Sequence, residues 1–166
     1  MEAEYLGNQG INNPLDTLEK IISLKHWSYS RENEDELIID IDSKISAYRL
    51  YIAWSKDTNV MGITITFDVK VPFSKINKIY ELLALINENL FIGHFDITSK
   101  SGIPAYRNTY LIRDKNIENI KILEDLVDIG IIECERFYHS FQMVIWENYI
   151  PTDAVYACLF ETKGRA

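Results

Sequence analysis

Surplus positive charge, long apolar runs and the common catalytic signatures are all scarce in this chain, and each shortage removes a class of function. Seventeen Lys and Arg against 25 Asp and Glu leave a net charge of −8. No run of basic residues lines one face, so the footprint that grips a phosphate backbone is missing, and nucleic acid is not an expected partner. The longest apolar runs, such as Leu82-Leu-Ala-Leu-Ile86, fall far short of the ~18 residues that a membrane span requires. The expectation is a soluble protein with no membrane partner. There is no glycine-rich phosphate loop, no strained nucleophile turn and no paired set of metal ligands. The two cysteines, Cys134 and Cys158, fall in helical patterns, where a free Cys behaves as a small buried hydrophobe rather than half of a disulfide. Met1-Glu-Ala-Glu-Tyr-Leu-Gly carries acidic residues where a signal peptide carries positive charge, and no apolar stretch follows, which predicts a cytoplasmic protein.

What is present is a globular composition in 166 residues, enough for one domain, 1–166, that buries roughly two thirds of its unfolded surface. The most informative stretch is Tyr80-Glu-Leu-Leu-Ala-Leu-Ile-Asn-Glu-Asn-Leu-Phe-Ile-Gly-His-Phe-Asp-Ile97. There a helical apolar rhythm gives way to an alternating one, so a helix feeds directly into a strand.

Asn13-Pro14 has the chemistry of a helix start, with Asp16 in the first turn, and Leu15, Leu18 and Ile22 form an apolar stripe to about Lys25. Trp27 to Arg31 and Leu37 to Ile41 read as a hairpin, the acidic run Glu32-Asn-Glu-Asp-Glu36 being its solvated tip. Ile45 to Trp54 and Val60 to Val69 alternate strictly. Tyr48, Leu50, Ile52 and Trp54 share one face of the first, and Met61, Ile63, Ile65 and Phe67 one face of the second. Pro72 ends that strand, and Ser74 is placed to cap a helix to Leu90 whose Ile76, Ile79, Leu83 and Ile86 recur at helical spacing, with Leu82 and Leu85 on a second apolar flank. A helix apolar on two sides needs two covers: its own sheet, and another helix or another chain.

Strands follow near Phe95 to Thr98 and Ala105 to Ile112, joined by a turn with Gly and Pro. Asn116 opens a long helical pattern through Ile120, Leu123, Val127, Cys134, Phe137 and Phe141. Gly130 inside it means either a break or a close neighbour. Pro151 opens a last helix ending before Gly164. The order predicts an α+β fold, an antiparallel β-sheet with helices packed on one face.

Tyr48-Arg-Leu-Tyr-Ile-Ala-Trp54, Tyr80 to Asp96 and Glu133 to Trp146 resemble the YbjN-like family, described as putative bacterial sensory transduction regulators, and the resemblance spans nearly the whole chain. It implies a fold similar to type III secretion chaperones, small α+β proteins that commonly dimerise and bind segments of other proteins. The family offers no catalytic residue to carry over, and no cofactor is expected.

His26, His94 and His139 sit on separate elements without a second His or Cys at ligand spacing, and Glu135 with His139 is two ligands short of a zinc site. Glu133 and Glu135 flank Cys134 and raise its thiol pKa, which makes it a poor nucleophile. Neither a catalytic nor a metal site is expected. Assigning the apolar strand faces inward leaves Arg49, Tyr51, Thr64, Thr66, Asp68, His94, Asp96, Arg107 and Thr109 on the other side. Arg49, Tyr51, Asp68, His94 and Asp96 form the expected partner-binding set, since Tyr and Arg are enriched at interaction hot spots. Ile76, Ile79, Leu82, Leu83, Leu85 and Ile86 form the expected homodimer interface. The functional expectation is a non-enzymatic, chaperone-like or regulatory protein that binds a protein partner. Its rivals are a small-molecule sensor or minor enzyme using the Arg49, His94 and Asp96 face, and a purely structural subunit.

Overall fold

A computed structural model describes residues 13–98, 100–112 and 117–163 of the chain. Helix α1 (Pro14–Leu24) begins where its capping chemistry places it: Asn13 Oδ1 accepts the Leu15 amide at 2.9 Å and Pro14 needs no donor in the first turn. Its stripe of Leu15, Leu18 and Ile22 is buried. The chain leaves the helix through Lys25 and a left-handed His26 and enters a hairpin, β1 (Ser28–Asn33) and β2 (Glu36–Asp42). Asn33 closes its acidic tip, accepting the Asp35 amide and donating to Glu36 Oε2.

Strands β3 (Ala47–Ser55), β4 (Val60–Phe67), β5 (His94–Ile97) and β6 (Pro104–Leu111) complete a six-stranded antiparallel sheet in the order β1-β2-β3-β4-β6-β5. The alternation read from sequence is the burial pattern observed: Tyr48, Leu50, Ile52 and Trp54 of β3 and Met61, Ile63, Ile65 and Phe67 of β4 are all buried. Register aligns these faces, Leu50 lying opposite Ile39 and Ile65, and Ile52 opposite Leu37 and Ile63. A slip of one residue would turn every one of them into water.

The helices lie on this inner face. Helix α3 (Ile117–Ile145) packs on β4 and β6 and against α1. Lys25 ties α1 to α3, its Nζ 2.9 Å from Asp128 and 3.2 Å from Glu124, above the Trp27 ring. Burial pulls this ammonium's pKa down, but hydrogen bonds to Asp128 and Glu124 more than reverse that and hold it above its ordinary value. The starting point Asn116, the Ile120 side chain and Gly164 lie outside the described residues.

Gly130 does not break α3. A Cβ there would stand 2.6 Å from Ile65 Cδ1 and 2.9 Å from Tyr106 Cε1, so the glycine lets the helix approach the sheet. Tyr106 is held from the other side by Gly93 (φ +70°), where a Cβ would fall 2.3 Å from the Tyr106 hydroxyl. That hydroxyl donates to the Ile92 carbonyl at 2.9 Å. The ring also meets Phe95 edge-on at 5.5 Å, part of an aromatic core with Phe67, Phe137 and Phe141.

Two expectations for the middle helix are corrected. Ser74 caps nothing. Pro72, extended at φ −63° and ψ 144°, leads into a single 3₁₀ turn, Phe73–Lys75, in which the Lys75 amide donates back to the Pro72 carbonyl, and helix α2 runs only over Ile76–Asn87. Its second apolar flank is covered from within the chain. Helix α4 (Pro151–Lys163) packs on α2 and α3, Ile79, Leu82, Leu83 and Ile86 are buried, and Ile76 and Leu85 pack partly buried against the core. The six residues assigned to a dimer interface thus serve the chain's own core, and α4 stands where a second copy was expected.

The passage from α2 into β5 is made by one side chain. Asn87 Oδ1 accepts the Phe95 amide at 2.7 Å and its Nδ2 donates to the Phe95 carbonyl at 3.0 Å, as a neighbouring strand would.

Gly130→Ala is expected to destabilise the fold by about 1 kcal/mol or more, because overpacking outweighs the ~1 kcal/mol that Ala gains over Gly in an open helix. Gly93→Ala, which adds left-handed strain to its clash, should cost more. Urea denaturation of both variants against the unmodified chain checks the order, and a stabilised Gly130→Ala would contradict the close approach.

Burial raises the Tyr106 phenol to about 12, and burial is likewise the largest cause of the rise at Tyr48. Both exceed the unfolded value of ~10, so the folded state retains protons that the unfolded chain releases; their contribution is intact below about pH 10 and is lost as pH rises toward about 12. The urea midpoint should fall across that interval and fall less in Tyr48→Phe, whose hydroxyl is buried without a hydrogen-bond partner among the described residues. At neutral pH that substitution should cost no stability.

Candidate functional site

Because all the packing helices take one face, the alternation that buries Leu50 and Ile52 presents Arg49 and Tyr51 on the other. Arg49 stands opposite Asp40 of β2 and Thr66 of β4, and Tyr51 opposite Ile38 and Thr64. Arg49 Nε donates to Asp40 Oδ1 at 2.7 Å. This bond, with a smaller contribution from the Tyr51 hydroxyl, raises the guanidinium above its ordinary value. The two side chains are 54% and 55% exposed, so the pair adds at most about 1 kcal/mol to stability. Its consequence is placement. Thr66 Oγ1 donates to the Arg49 carbonyl at 3.3 Å and holds the strand beneath.

Around this pair the surface is concave, enclosing about 320 Å³. Asp40, Arg49, Tyr51 and Thr66 line it from the sheet, Asp68 from just beyond β4, and Ile103 from the loop between β5 and β6. That loop is anchored: the left-handed Gly102 donates its amide to the Thr98 carbonyl at 2.8 Å, and the Val71 amide donates to the Gly102 carbonyl at 2.9 Å.

Of the five residues expected to bind a partner, the structure brings Arg49, Tyr51 and Asp68 together at this concavity. His94 and Asp96 lie elsewhere. Strand β5 is the far edge of the sheet, with β6 and β4 between it and β3, a separation of about 14 Å at the ~4.8 Å spacing of neighbouring strands. Asp96 Oδ2 is 3.3 Å from Arg107 Nε and its Oδ1 accepts the Ile97 amide, while His94 faces Arg107 in register. The expected set is therefore two cross-strand clusters. Asp40 and Ile103 are the members that sequence reasoning leaves out. The alternation of β2 already places Asp40 opposite in sense to Leu37, Ile39 and Ile41, so its signal was present; nothing in the turn composition points Ile103 toward β3.

The remaining candidates take structural roles. Cys134 is fully buried and burial pushes its thiol well up, with Glu133 and Glu135 adding to the rise. Glu135 and His139 do not pair: Glu135 accepts the Ser43 hydroxyl, joining α3 to the β2–β3 turn, and His139 Nδ1 meets Gln142 Oε1 at 3.3 Å. Among the described residues no group of three His, Cys, Asp or Glu could hold a metal ion, and no helix is long and apolar enough to cross a membrane.

Comparison with known proteins adds the following. The model of the YbjN family, described as "putative bacterial sensory transduction regulator", matches residues 14–143. A crystal structure of YbjN from E. coli, described as "a putative transcription regulator", is 14% identical, with a TM-score of 0.48 over 72% of this chain and 90% of that chain. No curated protein matches the chain. The family match runs from the first residue of α1 almost to the end of α3 and takes in the whole sheet, and on that match this chain belongs to the YbjN family.

Proposed function

We propose that the chain is a non-enzymatic regulatory module that binds a protein partner on its uncovered sheet face, with Arg49, Tyr51 and Asp68 at the centre of the contact. The observation that carries this reading is the concavity of about 320 Å³ at which Tyr51, 41% exposed, stands beside the Arg49–Asp40 pair on a rigid sheet. Exposed Tyr and Arg on a pre-formed surface are the residue types that dominate interface energies. Their strand positions are fixed by the core behind them, so little ordering is needed on binding. The family description as a sensory transduction regulator is consistent with a protein that acts through contact.

A free small molecule is the second reading, favoured by the same concavity. Its volume lies at the bottom of the ~300–1,000 Å³ range of ligand pockets, and its charged walls are more than half exposed. A metabolite would remain largely wet there, whereas a protein segment laid across the sheet would bring its own cover. Direct nucleic-acid contact is disfavoured by the charge of −8 and by the engagement of the described arginines. Each of the four arginines among the described residues, Arg31, Arg49, Arg107 and Arg136, is held by a carboxylate.

Immobilised full-length chain should retain a partner from bacterial lysate, and Tyr51→Ala or Arg49→Ala should lose that same partner, because truncating an interface hot spot costs ~2 kcal/mol or more of binding. Thermal stability should stay nearly unchanged, as both side chains point away from the core. Unfolding of either variant, or partner capture that survives both, would contradict the assignment of this face. Duplex and single-stranded oligonucleotides should show no submicromolar, salt-sensitive binding near physiological ionic strength.

A further inference from the structure

The chemistry of what docks can be read from the concavity, an inference that rests on the partner-binding face proposed above. Two carboxylates, Asp40 and Asp68, and one guanidinium, Arg49, line it, so one negative charge is left over. Arg49 Nε engages only Oδ1 of Asp40, and Oδ2 has no partner among the described residues. Asp68 forms neither an ion pair nor a hydrogen bond with any described residue. Tyr51 adds a half-exposed ring, and Ala47 and Ile103 add apolar surface.

These are the parts that a long cationic side chain uses: apolar surface for its alkyl stem, an aromatic ring beside its head and carboxylate oxygens to accept its protons. An anion would meet two carboxylates against one guanidinium, whose charge Asp40 already offsets. An apolar side chain would desolvate Asp68 and leave it unpaired. A concavity of about 320 Å³ is ample for one such side chain. We infer that it receives an arginine or lysine side chain of the partner, its head between Asp68 and the free oxygen of Asp40 and against the Tyr51 ring. The overall charge of −8 steers a basic segment toward this surface.

The test is an NMR titration of the full-length chain with N-acetyl-arginine amide, N-acetyl-lysine amide and, as the opposite charge, N-acetyl-glutamate amide. The cationic probes should shift the backbone amides of Tyr51, Thr66, Asp68 and Ile103 with millimolar affinity, and the glutamate probe should not. Asp68→Asn should weaken the cationic probes by about fivefold or more with the melting temperature unchanged, and added salt should do the same. Absence of shifts with both cationic probes, equal shifts with the glutamate probe, or an Asp68→Asn variant that binds undiminished would overturn the inference. If the cationic probes fail while Tyr51→Ala still abolishes partner capture, the face stands as the partner site and the cation assigned to it falls. If they bind while capture survives Tyr51→Ala, the partner-site reading falls and takes the partner's cation with it.

Discussion

The depth of the core is set by a tyrosine clamped between two glycines. Tyr106 is fully buried, with Gly130 of α3 on one side and the left-handed Gly93 on the other, and a methyl group at either position would overlap its ring or hydroxyl. Because α3 can come this close, Phe137 and Phe141 reach Phe95, and Phe67 meets Phe141 at 5.2 Å. Interiors are packed like crystals, so the spacing of one helix over the sheet cannot be changed locally. With α3 fixed, α1 is pinned beside it by Lys25, and α4 closes over α2 from the same side. All the described helical cover is spent on one face of the sheet, and the polar face is open as a consequence.

Asn87 solves a related problem at the sheet's edge. Strand β5 is the last in the sheet order and has no strand on its outer side, and unpaired edge amides invite pairing with another chain. Asn87 supplies both a donor and an acceptor to Phe95. The switch from helical to alternating pattern that marks residues 80–97 in the sequence is thus completed by a polar residue at the last position of α2. It also helps seat Phe95 in the aromatic core, where it touches Tyr106, Phe137 and Phe141.

The strands and their faces were legible because a half-buried strand writes its burial into a period of two. Gly130 was legible as a question, and Tyr106 and Ile65 are the answer. The cover on α2 was not legible. An apolar flank states that something must lie against Leu82 and Leu85, but a helical pattern does not say whether the cover is α4 of the same chain or a second copy. Ser74 misled because a capping residue is a local signal, and Pro72 imposed a tighter turn first. The splitting of the candidate site has a topological cause: β6 inserts between β4 and β5, so residues close in sequence order, Asp68 and His94, are separated in space. Asp40, eight residues before Tyr48, instead joins Arg49 through register.

The two cross-strand pairs that result are chemically alike yet not equivalent. At Asp96 one carboxylate oxygen lies 3.3 Å from Arg107 Nε and the other accepts the Ile97 amide, so both face a neighbour within the sheet. At Asp40 one oxygen is occupied and one is not, and Asp68 stands nearby with no partner among the described residues. A sheet position whose carboxylate meets neighbours of its own sheet at both oxygens contributes a solvated surface and little else. One carrying an unsatisfied carboxylate beside an exposed ring has hydrogen-bonding capacity that water fills in the free protein and a partner can take over. That difference in what the carboxylate oxygens face, more than the presence of charged residues, separates the β3 end of the open face from the β5 end and directs the functional reading to Arg49, Tyr51 and Asp68.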